Sequence, residues 1–225
     1  MSDLKHLLDF ADFKTTEDIQ EHFYKVAQAL FYKYELKSND GQILRITDVE
    51  LYIHHKDGFK DKAMHNPHHS QMTSGRFYIH RHHHNQSVFK KPSHIGLDIT
   101  CGSPFSCYAG ILIRETKKND DFLSCSKTVL EMIGSEYDNI RSKKWNNNEI
   151  AKLHELDDTN IFTGKFSLSP VEYAQAMPVW SLPRKVEETG HSVFSRCELR
   201  AMSEFSSKSK KNLNFVNFNA YQKAA

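Results

Sequence analysis

Gln42-Ile43-Leu44-Arg45-Ile46-Thr47-Asp48-Val49-Glu50-Leu51-Tyr52-Ile53 alternates with the period of a β-strand. Leu44, Ile46, Asp48, Glu50 and Tyr52 fall on one face. Ile43, Arg45, Thr47, Val49, Leu51 and Ile53 fall on the other. Both faces are largely apolar, which predicts a strand covered on both sides. Carboxylates are rare in such a run unless a partner holds them or a reaction uses them. Glu50 is therefore the residue to explain. Taken on this strand alone, the simpler account is a pairing with a neighbouring Lys or Arg.

Upstream, Thr15 and Thr16 precede an amphipathic helix with Ile19, Phe23, Val26 and Leu30 at helical spacing and Glu17 and Asp18 in its first turn. Residues 32–36 then alternate as a strand. Ser38-Asn39-Asp40-Gly41 is a turn signal, so a hairpin into the Glu50 strand is expected. Downstream, 56–67 is polar and reads as a loop. Strands are expected at 76–80, 95–101 and 108–115, and helices at 126–133 and 149–156. Ser169-Pro170-Val171-Glu172 has the form of a capping box with Pro at the first helical position, ended early by Pro178. A last strand is expected over 193–201. No repeat or linker divides the chain, and the mixed order of helices and hairpins predicts one α+β domain over 1–202. Residues 203–225 read as a polar tail mixing cations and rings, with a composition that favours disorder.

The 225 residues suffice for a substantial core. Net charge is +2 with a pI of about 8.2, so local clustering rather than overall charge decides whether a nucleic acid is a partner. No apolar run is long enough to cross a membrane, and the start is not a secretory signal. Cys101, Cys107, Cys125 and Cys197 show no Cys-x-x-Cys spacing, which argues against a disulfide framework or a cysteine zinc site. A reduced, cytoplasmic setting is expected.

Ten of the 14 histidines lie between His54 and His94. Imidazole is a common metal ligand, yet the spacings match no common zinc pattern. On a strand, His82-His83-His84 could lend at most two side chains to one site. A polar loop or hairpin meeting phosphate or solvent fits better, and a histidine-metal hydrolase is the less favoured alternative. Arg76, Arg81, Lys90 and Lys91 flank the region, with further cations at Lys117-Lys118 and 141–144. Interleaved cations and rings suit a phosphate backbone with exposed bases; the commoner case is a solvated surface.

Several segments taken in order resemble the alkyladenine (3-methyladenine) DNA glycosylase family. Val26-Ala27-Gln28-Ala29-Leu30 resembles the helix that enters its first strand. Asp48-Val49-Glu50-Leu51-Tyr52 is similar to its Glu-x-Tyr signature, and Asp61-Lys62-Ala63-Met64-His65 to its Asp-x-Ala-x-His. Ser74-Gly75-Arg76-Phe77-Tyr78-Ile79-His80 resembles its hairpin strand. Gly96-Leu97-Asp98-Ile99 resembles the strand carrying a pocket Asn, and Ala109-Gly110-Ile111-Leu112-Ile113-Arg114 its Val-Leu-Leu-Arg strand. Leu182-Pro183-Arg184 and Leu199-Arg200 faintly resemble its closing segment. The match covers residues 10–116 well and the remainder poorly.

The resemblance implies a curved, mainly antiparallel sheet flanked by helices, and a monomeric, metal-free, cofactor-free enzyme acting on double-stranded DNA. It implies Glu50 as the base that activates water, with Arg114 holding both. Tyr52 would stack on a flipped base and His65 would contact it. His80 stands in place of a second stacking tyrosine, and Asp98 in place of the pocket Asn. Arg76, Arg81, His82, His83, Lys90 and Lys91 would meet the DNA. The register puts His82–His84 where the family has a wedge tyrosine, so a rebuilt pocket or a catalytically inactive nucleic-acid binder is the alternative.

Overall fold

A computed structural model of the chain describes residues 2–61, 64, 68–82, 84–171, 179–182, 200–203, 206–207 and 216–217. The architecture is α+β, with a curled antiparallel sheet and few helices. Helix α1 (Ser2–Leu7) precedes α2 (Thr16–Tyr32). Thr15 caps α2, its Oγ1 accepting from the Asp18 N–H at 3.2 Å. Strand β1 (Tyr34–Ser38) turns through Gly41, which has a φ of +89°, into β2 (Ile43–His55). The expected hairpin is present, with Leu36 opposite Leu44.

Strand β2 is the axis of the sheet. One edge pairs with β1 and then with β11 (Arg200–Met202). The other pairs along most of its length with β7 (Cys107–Lys118). Beyond β7 lie β6 (Leu97–Thr100) and then β3 (Phe77–Ile79), while β8 (Asp121–Ser124) pairs with the far half of β7. On the opposite side β11 carries β10 (Trp180–Leu182) and β12 (Val216–Asn217). A separate hairpin, β4 (Arg81–His82) and β5 (Asn85–Phe89), follows β3.

The two faces of this sheet differ. Val49, Leu51 and Ile53 of β2 are fully buried with Ala109, Ile111 and Ile113 of β7, Leu97 and Ile99 of β6, and Phe77 and Ile79 of β3. They share one core with Ile19, Phe23, Val26 and Leu30 of α2, which packs on β1, β2 and β11. The other face of β2 is covered too, but its central positions carry Asp48 and Glu50. The reading of two apolar faces thus holds for one and fails for the second half of the other.

Helices α3 (Cys125–Met132) and α4 (Asn147–Leu156) match the expected ranges closely. Asn146 and Glu149 form the capping box of α4. The end of α4 covers the outer edge of β3: the Ile79 N–H donates to Asp157 Oδ1 at 2.8 Å, and the Asp158 N–H to the Phe77 carbonyl at 2.7 Å.

One expected helix start is corrected. Ser169 and Pro170 end strand β9 (Phe166–Pro170), opposite Glu35 and Tyr34 of β1. Among the described residues β9 pairs with β1 alone, and Pro170 stands at its last position, where a missing N–H is tolerated. The rest of that expected helix, 172–178, lies outside the described residues. Within the segment read as a tail, Val216–Asn217 joins the sheet, and the Ser207 N–H donates to buried Glu115 at 3.0 Å. Among the described residues no helix is long and apolar enough to cross a membrane.

Candidate functional site

Antiparallel pairing aligns five residues from five strands. Arg200 of β11 is opposite Glu50 of β2, Glu50 is opposite Leu112 of β7, Leu112 is opposite Asp98 of β6, and Asp98 is opposite Tyr78 of β3. Directly paired residues project from the same face, so this row lies across the polar side of the sheet. Residues two positions along each strand join it: Asp48 and Tyr52 on β2, Gly110 and Arg114 on β7. Register shifts between Ile46, Asp48 and Val49 interrupt the β2–β7 ladder beside the row. Irregularities of that kind re-aim side chains at sites.

Glu50 is 1% exposed. Its Oε1 accepts from the Tyr52 hydroxyl at 2.7 Å, and an Arg114 guanidinium nitrogen lies 3.0 Å from Oε2. The Arg114 N–H directions miss that oxygen, so the contact is coulombic rather than an aligned hydrogen bond. Tyr52 and Arg114 are each half-buried, which leaves part of this cluster open to solvent.

A second carboxylate, Asp48, is 0% exposed and gripped by Arg200 in a two-point contact, Nε to Oδ1 at 3.0 Å and NH2 to Oδ2 at 2.6 Å. Burial works against the Arg200 charge, but the Asp48 hydrogen bonds and charge outweigh it and raise the guanidinium pKa. Arg200 also lies within the field of Glu50.

The third carboxylate, Asp98, is 2% exposed. Its Oδ1 lies 2.8 Å from His80 Nε2, and its Oδ2 accepts from Gln71 Nε2 at 3.3 Å. Two glycines leave room for this pair. A Cβ on Gly110 would stand 2.7 Å from Asp98 Oδ2, and one on Gly96 2.6 Å from His80 Nδ1. Tyr78 is stacked on His68 with ring centroids 5.2 Å apart, and His80 follows at 6.1 Å. Burial lowers the His68 pKa to about 4, keeping the ring neutral, and burial with the Asp98 charge raises that of Tyr78.

The first turn of α3 borders the cluster. Burial pushes the Cys125 thiol up to about 12, and the charges of Arg114, Asp98 and Glu50 all reach it. A thiol held protonated in this way is no nucleophile.

Of the residues singled out from sequence, Glu50, Tyr52, Arg114, His80 and Asp98 thus lie on one face within three neighbouring strands and their margin. His65 and His83 lie outside the described residues. Arg76 and Arg81 face α4's end: Arg76 pairs with Asp158 at 3.5 Å, and Arg81 with Asp157 while lying over the Phe89 ring. His82 is exposed on the β4–β5 hairpin, whose strands also expose Asn85, Gln86 and Val88. Lys91 is exposed, Lys90 is half-buried, and neither has a carboxylate partner among the described residues. The Lys90 N–H donates to the His80 carbonyl at 3.0 Å, joining this basic pair to the site's rim.

Asp48, Gln71, His68, Tyr78 and Cys125 were given no role at a site by the sequence. The period-2 spacing of Asp48 from Glu50 was a usable signal. Arg200 was named only in the faint closing-segment resemblance, and nothing local tied it to Asp48, 152 residues away. Among the described residues no three His, Cys, Asp or Glu side chains converge to hold a metal ion. No protein-family model and no curated protein sequence matches the chain.

Proposed function

We propose that the protein is a DNA glycosylase, a hydrolase that takes a modified purine out of duplex DNA and cleaves its N-glycosidic bond with water activated by Glu50. The supporting observation is the Glu50 cluster itself: a carboxylate 1% exposed, set between the Tyr52 hydroxyl and the Arg114 guanidinium on the polar face of the sheet. Cleavage of the bond develops positive charge on the sugar. A carboxylate fixed in place stabilises that charge and accepts the proton of the attacking water. Arg114, 3.0 Å from Glu50 Oε2, holds the carboxylate in position for the attacking water. Tyr52 provides a ring beside the carboxylate on which an extruded base stacks, and His65 would contact the same base. The fold in this reading is that of the alkyladenine DNA glycosylases, acting as a monomer in the cytoplasm or nucleus.

Phosphate contacts fall first to Lys90 and Lys91. Arg76 and Arg81 already neutralise Asp158 and Asp157, so they give less to a DNA backbone. The exposed β4–β5 hairpin, with His82 and His83, is the element that would probe the duplex.

A second reading keeps the nucleic acid and drops the chemistry. It is favoured by the protein contacts that already engage Glu50 and Asp98, as in a static ion-pair network. Duplexes bearing a panel of modified purines, incubated with the protein and then treated with alkali, separate the two. Strand breaks at the modified position support hydrolysis. Salt-sensitive binding with no breaks on any duplex supports the second reading.

A further inference from the structure

We propose that the loop joining α3 to α4 is a second contact with the DNA backbone, in which Arg141 and Lys144 continue the basic surface begun by Lys90 and Lys91. This rests on the nucleic-acid partner of the reading above and assigns the side of the site along which the duplex runs.

The first observation is a physical joint. The Trp145 indole N–H donates to the Lys90 carbonyl at 2.8 Å, and the Lys90 N–H donates to the His80 carbonyl at 3.0 Å. The end of the loop, the Lys90-Lys91 pair and the rim of the polar face are thus tied in series. Two further contacts close the same corner. The Phe89 ring of β5 lies 4.8 Å from the His154 ring of α4. The Ser126 hydroxyl, in the first turn of α3, donates to the Ile95 carbonyl at 3.1 Å, just after the 3-10 turn Pro92–His94. Residues 90–91 and 141–144, far apart in sequence, therefore share one surface beside the β4–β5 hairpin.

The second observation is which cations are left over. Arg76, Arg81, Lys118 and Lys143 are each matched to a carboxylate, on Asp158, Asp157, Glu131 and Glu149 in turn. Lys127 lies over the Tyr137 ring at 5.1 Å. Lys91, Arg141 and Lys144 are exposed and Lys90 is half-buried, and among the described residues none of these four has an ion-pair partner. The acids of the loop, Glu136 and Asp138, precede the turn at Asn139, which has a φ of +56°, whereas Arg141 and Lys144 follow it. Unpaired cations gathered on one surface repel one another. A phosphate chain relieves that repulsion and releases its own counterions as it binds.

The third observation is that the loop is a fixed frame. Tyr137, Ile140 and Trp145 pack against the core, and the Ser142 N–H donates to the Asn139 carbonyl at 3.0 Å. A backbone already ordered loses less entropy when its charges meet phosphate. Arg141 adds a planar fork that matches phosphate oxygens. A disordered run of lysines would offer neither.

Fluorescence anisotropy of a labelled duplex, titrated with protein over a series of salt concentrations, tests this. The Arg141→Glu, Lys144→Glu variant is expected to bind at least about tenfold more weakly and to flatten the dependence of log K on log salt by roughly 2 in slope. The milder Arg141→Gln, Lys144→Gln variant is expected to flatten the slope equally with a smaller loss of affinity. Lys33→Glu, Lys37→Glu makes the same change of net charge as the first variant, at exposed positions after α2 and on β1, and is expected to keep the wild-type slope. Equal flattening by that control overturns the inference in favour of overall charge. A wild-type slope in both variants at 141 and 144 overturns it while leaving Lys90, Lys91 and the hydrolase reading in place. Wild-type binding that ignores salt removes the nucleic-acid partner, and the inference with it.

Discussion

Three carboxylates buried within one row of a sheet would be costly if left to themselves, since an ion withdrawn from water loses several kcal/mol of hydration. Each has a named counterpart: Arg200 for Asp48, Arg114 and Tyr52 for Glu50, His80 and Gln71 for Asp98. The three differ in openness. Asp48 and Arg200 are both buried and matched at two points, which is a structural tie, whereas Arg114 and His80 reach solvent. Truncating Arg200 to Ala leaves the Asp48 charge buried and alone, so a loss of about 3–5 kcal/mol is expected in chemical denaturation. That Glu50 and Tyr52 share a face was legible from their period-2 spacing on one strand. The Arg200 partnership was not, because a contact between residues 48 and 200 leaves no local trace in either segment.

At the scale of the element, local rules served where local forces decide. Thr15 at the start of α2 and the Ser38–Gly41 turn were readable because a cap and a left-handed turn residue act within a few positions. Ser169-Pro170 misled for the same reason. It has the form of a helix start, but pairing with β1 along five positions outweighs it. The 3-10 turn His69–Met72 carries a pH dependence. Its cap, His68, is 8% exposed, and burial lowers its pKa to about 4. The unfolded chain then binds a proton more readily than the folded one. Stability present at neutral pH is therefore lost as pH falls from the ordinary histidine range towards about 4. In thermal unfolding followed over that interval, His68→Gln is expected to lose less Tm on acidification than the wild type. Parallel curves for the two proteins would count against a buried neutral ring.

Across the whole molecule, the sheet sorts its residues by face. α2 covers the apolar side, and β11, drawn from near the chain's end, brings Arg200 to the polar side. The α+β class and the central strand followed from periodicity. The sheet order did not, because nothing in the segment near 200 says that it lies along β2 rather than along another edge. The same sorting brings Lys90 and Lys91 to the rim beside His80. If they hold phosphates, the Lys90→Glu, Lys91→Glu double variant is expected to weaken duplex binding and to flatten the dependence of log K on log salt by roughly 2 in slope. An unchanged slope would remove these two residues from the interface.

The central claim is that Glu50 activates water, and single-turnover base release by Glu50→Gln is its most direct test. The Gln side chain keeps the size and the Tyr52 contact while removing the charge and the proton acceptor. Release is expected to fall at least about 100-fold while duplex affinity stays close to that of the wild type. Release at the wild-type rate would contradict the account and leave Glu50 as one half of an ion pair with Arg114.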